Sequence, residues 1–183
     1  MISSTPEENS PRNTDHRDLA FLGREFLTWL WFKSEERNGA IALPNSGDVH
    51  ILFLRRIVLE SGRGEYSETV VCSGLHADLS EGREALRTGK KVKEARIRMG
   101  IGNDEWEFTF KADGFHFQSM KMPSGFESVD DEVEQESNIL DRVGSMDLVV
   151  TTMERLFLSF VELRRSDAWL SLEVPRIKKW IAR

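Results

Sequence analysis

Apolar residues recur at three- and four-residue steps through Leu19, Leu22, Phe26, Trp29 and Leu30, the spacing of one helix face. Leu27, Trp31 and Phe32 widen that stripe. The pattern predicts a helix over 17–36, covered on more than one side and ended by Asn38-Gly39. Residues 48–60, DVHILFLRRIVLE, are β-branched and apolar and predict a strand. Apolar residues fall on both of its faces around Arg55 and Arg56, which calls for a bulge or burial on two sides. The turn 61–65 leads to a second strand over 66–73, its expected hairpin partner.

A short helix over 78–90 follows, with Asp78 or Ser80 as its cap and Gly89 at its C-terminal stop. Three strands come next. Residues 92–99 set Ala95, Ile97 and Met99 on one face. Residues 105–111 alternate Trp106, Phe108 and Phe110 against Glu105, Glu107, Thr109 and Lys111. Residues 115–122 begin after the hairpin-forming pair Asp113-Gly114. The acidic run 127–136 reads as a solvated loop or helix start; it lacks the alternating oxygens and central glycine of a calcium loop. Residues 139–164 carry Val149, Met153, Leu156, Phe157, Phe160 and Val161 at helical spacing. A last segment, 167–183, is kinked or split by Pro175.

This order, with short connections, predicts an α+β domain over 17–183. Its mostly antiparallel, five-stranded sheet is packed with an N-terminal helix and C-terminal helices. Residues 1–16 read as a disordered polar tail without the apolar core of a signal peptide. The 183 residues suit one domain. No stretch reaches the length of a membrane span. The lone Cys72, beside Val70 and Val71, fits a buried thiol in a reducing compartment, so a cytoplasmic location is expected.

Readable catalytic chemistry is sparse. His16, His50, His76 and His116 lack metal-ligand spacing, and no nucleophile elbow or phosphate loop is present. No catalytic residue, metal or cofactor is therefore expected. Glu105 and Glu107 share a strand face, as acids holding Mg²⁺ in a nuclease do, but they also fit the solvent face of an amphipathic strand. Five tryptophans are either core filling or an oligomer interface, with Trp29, Trp31, Trp169 and Trp180 in terminal helices.

Charge supplies the remaining signal. The net charge is −6, yet Arg83, Arg87, Lys90, Lys91, Lys93, Arg96 and Arg98 crowd one stretch against Glu84 and Glu94. The C-terminus adds Arg176, Lys178, Lys179 and Arg183. Such a cluster is either a phosphate-contacting surface or a solvated face near a helix C-terminus. With Lys91 and Lys93 on the face that continues into Ala95 and Ile97, the lysines are expected exposed at the sheet's rim.

Three stretches in order carry a resemblance: FLGREFLTWLWFKSEE; ETVVCSGLHADLSEGREALRTGKKVKEARIRM; and FTFKADGFHFQSMKMP, followed by MDLVVTTMERLFLSFVELR. Over roughly 21–165 the chain resembles the C-terminal half of the recombination-associated protein RdgC family. That family's N-terminal half is not expected here. The resemblance implies a non-enzymatic protein that binds double-stranded DNA with little sequence preference, forms dimers and restrains the RecA recombinase. The resemblance carries over the basic turn Lys90, Lys91 and Lys93 as DNA contacts; the basic cluster adds Arg87, Arg96 and Arg98 to the expected contacts, and a homodimer is an expected partner. The alternative is a protein-interaction or oligomeric scaffold module without DNA affinity.

Overall fold

The computed structural model describes residues 16–36, 38–43, 47–61, 67–73, 79–124 and 132–183, with the side chains of 16–20, 55, 79–80 and 132–137 excepted. The expected tail, the turn after Ser61, the cap at Asp78, His76 and the first part of the acidic run lie outside them. His16 already belongs to a helix.

The elements run α1 (His16–Glu36), β1 (Ala40–Leu43), β2 (Gly47–Ser61), β3 (Glu68–Ser73), α2 (Leu79–Arg87), β4 (Lys91–Ile101), β5 (Asp104–Lys111), β6 (His116–Lys121), α3 (Glu132–Arg165), a π-helical turn (Trp169–Glu173) and α4 (Val174–Ile181). The fold is α+β, with every strand pair antiparallel. Among the described residues the sheet has six strands where five were expected. They lie in the order β1-β2-β4-β5-β6, with β3 also on β2. The added strand, β1, is only four residues long and pairs with the first residues of β2. β3 takes the far end of the same strand, so β2 is long enough to serve both.

Two irregularities shape the sheet. Between Phe53 and Ile57, β2 spends four steps against two in β4, and Arg55 and Arg56 fall there. This is the bulge that the two-sided apolar pattern called for. On β4, Lys93 is an extra residue between Val92 and Glu94, while Leu59 and Val58 stay consecutive opposite them. The shift corrects an expectation. Val92 shares the buried side with Ala95, Ile97 and Met99, and the alternation of Lys91 and Lys93 does not carry through to Ala95 and Ile97.

One core holds the layers together. The inward residues Ile51, Ile57, Leu59, Val92, Ile97, Phe108 and Phe110 meet Phe26, Leu27, Leu30 and Trp31 of α1, Leu86 of α2, Met153 and Phe160 of α3, and Trp180 of α4. Buried residues Phe26, Leu27 and Trp29 through Phe32 surround α1 on nearly all sides, as its broad stripe predicts. Gly23 brings α1 onto the β5–β6 turn; an added Cβ would lie 2.3 Å from the Ala112 carbonyl oxygen. Trp29, Trp31, Trp106 and Trp180 are buried and Trp169 packs against the core, so the tryptophans fill the interior.

α2 closes as its Gly89 predicts. That glycine has φ +87°, its N–H bonds the Leu86 carbonyl and the Lys90 N–H bonds the Ala85 carbonyl. α3 is longer than its apolar stripe, taking in the end of the acidic run. Pro175 opens α4 directly after the π-helical turn. No helix among the described residues is long and apolar enough to cross a membrane.

Candidate nucleic-acid interface

The six expected DNA contacts are not one surface. They fall in three places, and each has an acid in reach. Arg87, at the end of α2, bonds Glu84 at 2.7 Å and donates from Nε to the Ile181 carbonyl of α4 at 3.0 Å. Lys90 bonds Glu68 of β3 at 3.0 Å, and its side chain is mostly buried. Lys91 bonds Glu25 of α1 at 3.2 Å and lies over the Phe21 ring. Lys93 bonds Glu60 at 2.8 Å. Arg96 and Arg98 stand on the sheet's outer face, where both reach Glu107 of β5, Arg98 at 2.7 Å. Arg96 also donates to the Ser119 carbonyl at 2.8 Å.

These pairs belong to wider networks. Arg24 of α1 grips Asp113 with two bonds of 2.7 and 2.6 Å and reaches Glu60, which also holds Lys93. Glu25 holds Lys91 and Arg164 of α3. Lys91 and Lys93 therefore tie the rim of the sheet to α1 and α3. Lys90 is mostly buried, whereas Lys91 and Lys93 keep over a third of their side-chain surface exposed; the turn that brings all three to the rim also brings them to carboxylates.

On the outer face Glu94 pairs with Arg56 and Lys111, and Glu107 with Arg96, Arg98 and Lys121. The Arg98 guanidinium, hydrogen-bonded to Glu107, holds that carboxyl below its ordinary range. Glu105 and Glu107 thus sit in a charge ladder of cross-strand pairs. Among the described residues no three His, Cys, Asp or Glu side chains converge as metal ligands do. Cys72 is buried, and that burial, with Glu81 nearby, pushes its thiol up and suppresses the thiolate.

The last segment of the described chain holds a group of cations that the fold leaves available. Residues 174–183 carry Arg176, Lys178, Lys179 and Arg183 with no acid among them. Lys178, Lys179 and Arg183 are exposed and have no ion-pair partner among the described residues. Arg176 is held by Glu36 and Glu173. Arg176, Lys179 and Arg183 line a shallow cleft of about 250 Å³ with Phe32, Glu35, Glu36 and Trp180. The bond from Arg87 to Ile181 joins this corner to the basic end of α2.

The carboxylates around the cleft have other work. Glu35 accepts the indole N–H of Trp31 at 2.8 Å and of Trp180 at 2.6 Å. Buried Glu173 accepts from Trp29 and pairs with Lys33 and Arg176. Sequence reasoning placed the α4 cations outside the contact set because it weighed the number of bases in a stretch. The α4 segment differs in carrying no acid, and a base without a nearby acid has fewer ways to be neutralised by the fold.

No family model matches this chain, and no curated protein matches it.

Proposed function

We propose that this chain is a non-enzymatic protein that binds double-stranded DNA without reading its sequence, through the exposed cations of the α4 corner. The carrying observation is the contrast between two sets of cations. Those from Arg87 to Arg98 are engaged by acids of the same chain, whereas Lys178, Lys179 and Arg183 are exposed and unengaged among the described residues. A phosphate meeting the second set displaces no internal partner. The likeness to the RdgC family supports the same class of activity and a setting in recombination or in mobile elements. The buried lone thiol of Cys72 suits a cytoplasmic setting.

The corner's charge is modest. Lys33, Arg87, Arg176, Lys178, Lys179 and Arg183 stand against Glu35, Glu36, Glu84 and Glu173. Binding in the non-specific range, a Kd of roughly 10⁻⁴–10⁻⁶ M, is expected, with strong salt dependence. The test is titration of two unrelated duplexes across a salt series. Equal affinity for both, falling with salt, supports the reading; no binding at about 50 mM salt overturns it.

A second reading is a protein-interaction or scaffold module without DNA affinity. It is favoured by the self-neutralisation of all six originally expected contacts. Retained complex formation with a protein partner in a chain that ignores DNA at low salt distinguishes it.

A further inference from the structure

β1 stands at one end of the strand order as four uncharged residues, Ala40-Ile41-Ala42-Leu43, in unbroken register with β2. The strand at the other end, β6, is bulged at Ser119 (φ +51°) and finishes on Lys121. Bulges, lysines and prolines are the usual guards of an exposed sheet edge, and β1 has none of them.

The register also shows which groups β1 leaves free. Gly39 and Ile51 continue the β1–β2 pairing, and the Ile51 N–H bonds the Gly39 carbonyl at 2.8 Å. Bonded and non-bonded pairs alternate in an antiparallel ladder, so Ile41 and Leu43 turn their backbone groups to β2. Ala40 and Ala42 turn theirs away, about 6.8 Å apart along the strand. These groups have no partner among the described residues.

That edge borders a groove of about 280 Å³ between β1 and α3. Ile41 and Leu43, Trp29 of α1, and Leu156 and Leu163 of α3 give it an apolar lining. Lys33 and Arg176 line it too, but Glu36 and Glu173 hold both, so their charge is balanced.

We infer that this groove binds an uncharged, extended peptide segment of a partner protein, which joins β1 as a further strand. Its main chain bonds the N–H and C=O groups of Ala40 and Ala42. The residue opposite Ile41 falls in a non-bonded pair, and its side chain points inward beside that of Ile41, so it is apolar. Its two neighbours face outward and are free to be polar. The backbone bonds supply affinity and the inward side chain supplies selectivity. A small apolar ligand would leave the edge groups of Ala40 and Ala42 unmet. A second folded copy would have to bring its own helices against α3, within a groove the size of a chain segment. The site does not depend on the DNA reading, because Lys178, Lys179 and Arg183 do not line it.

The probe is a phage-displayed library of short random peptides selected on the full chain, with the enriched peptides synthesised and titrated. Enriched peptides should alternate apolar and polar residues. At saturation they should slow amide exchange at Ala40 and Ala42 by about tenfold or more, and change Ile41 and Leu43, already bonded to β2, far less. Ala42→Pro removes an edge donor without touching a β1–β2 bond. It should keep its circular dichroism spectrum and bind the peptides about tenfold more weakly. Ser159→Arg fills the groove from α3 and should weaken the same peptides, which keeps the test open should the proline disturb β1. A selection that enriches no peptide, or peptides that both variants bind as the parent does, overturns the inference. So does protection of Ala40 and Ala42 that rises with the concentration of the chain alone, since a second copy would then occupy the edge.

Discussion

Trp31 and Trp180 meet edge to face, their ring centroids 5.1 Å apart, and both give their indole N–H to the single carboxylate of Glu35. The contact joins α1 to α4 across 149 residues of chain (from 31 to 180) and fixes the wall of the α4 cleft. A buried indole needs an acceptor, so one side chain on the last turn of α1 satisfies two rings at once.

Glu35→Ala should therefore cost more than a surface glutamate normally does. Two indole donors would lose their acceptor, at about 1–3 kcal/mol for each group left unsatisfied. A loss of about 2–4 kcal/mol is expected by urea unfolding, with Glu35→Gln milder because its amide oxygen still accepts. A loss within 0.5 kcal/mol, the usual range for an exposed residue, would show that the indoles find other partners.

Gly23 and Gly144 make a matched pair, both within α helices. Alanine is the better helix former by about 0.8–1 kcal/mol. At Gly144 a Cβ meets nothing within 4 Å, so Gly144→Ala should stabilise. At Gly23 the Cβ would press on the Ala112 carbonyl, and the backbone there cannot rotate away as a side chain can. The strain, about 1–3 kcal/mol, should outweigh the propensity gain and loosen the neighbouring Arg24–Asp113 fork. Opposite shifts in Tm are the expected outcome, at about 2–4 °C per kcal/mol for a chain of this size.

Glu107 supplies the pH dependence. Its carboxyl is held below the ordinary value chiefly by the Arg98 hydrogen bond, so it stays ionised in the fold at pH values where the unfolded chain takes up a proton. The stabilisation is complete above the unfolded value, about 4.3, and is lost as pH falls through the lower folded value. Glu107→Gln should thus be less stable than the parent at pH 7 by under about 1 kcal/mol, since the pair is partly exposed. The two should converge towards pH 3. A difference that grows on acidification would place the pair's contribution elsewhere.

Local signals in the chain were sufficient for much of this fold. The alternation Trp106-Phe108-Phe110 set β5 by itself, the Thr88-Gly89 stop appeared with both of its hydrogen bonds, and the misplaced Arg55-Arg56 pair marked a real bulge. β1 was hidden because four residues are too few to show a period. The candidate site was less legible for a physical reason. Lys91 finds Glu25 66 residues away, and Lys93 finds Glu60 33 residues away. No window along the chain contains both members of such a pair, so a cluster of bases in sequence says little about the charge left over once the chain has folded.

That difference yields the sharpest test of where DNA would bind. Lys90, Lys91 and Lys93 changed together to Ala should lower stability, since Glu68, Glu25 and Glu60 each lose a cation, though Arg164 still holds Glu25 and Arg24 still holds Glu60. Because the lysines are spoken for, the same change should leave the salt dependence of DNA binding nearly intact. Lys178, Lys179 and Arg183 changed to Ala should do the reverse. Stability should hold within about 0.5 kcal/mol, as for other exposed positions. The slope of log K against log salt should flatten by about 0.9 for each phosphate contact removed, close to 3 for all three, and equally on unrelated sequences. If instead the rim lysines flatten the slope and the α4 set does not, phosphates break the internal ion pairs on binding, and the interface lies at the rim of the sheet.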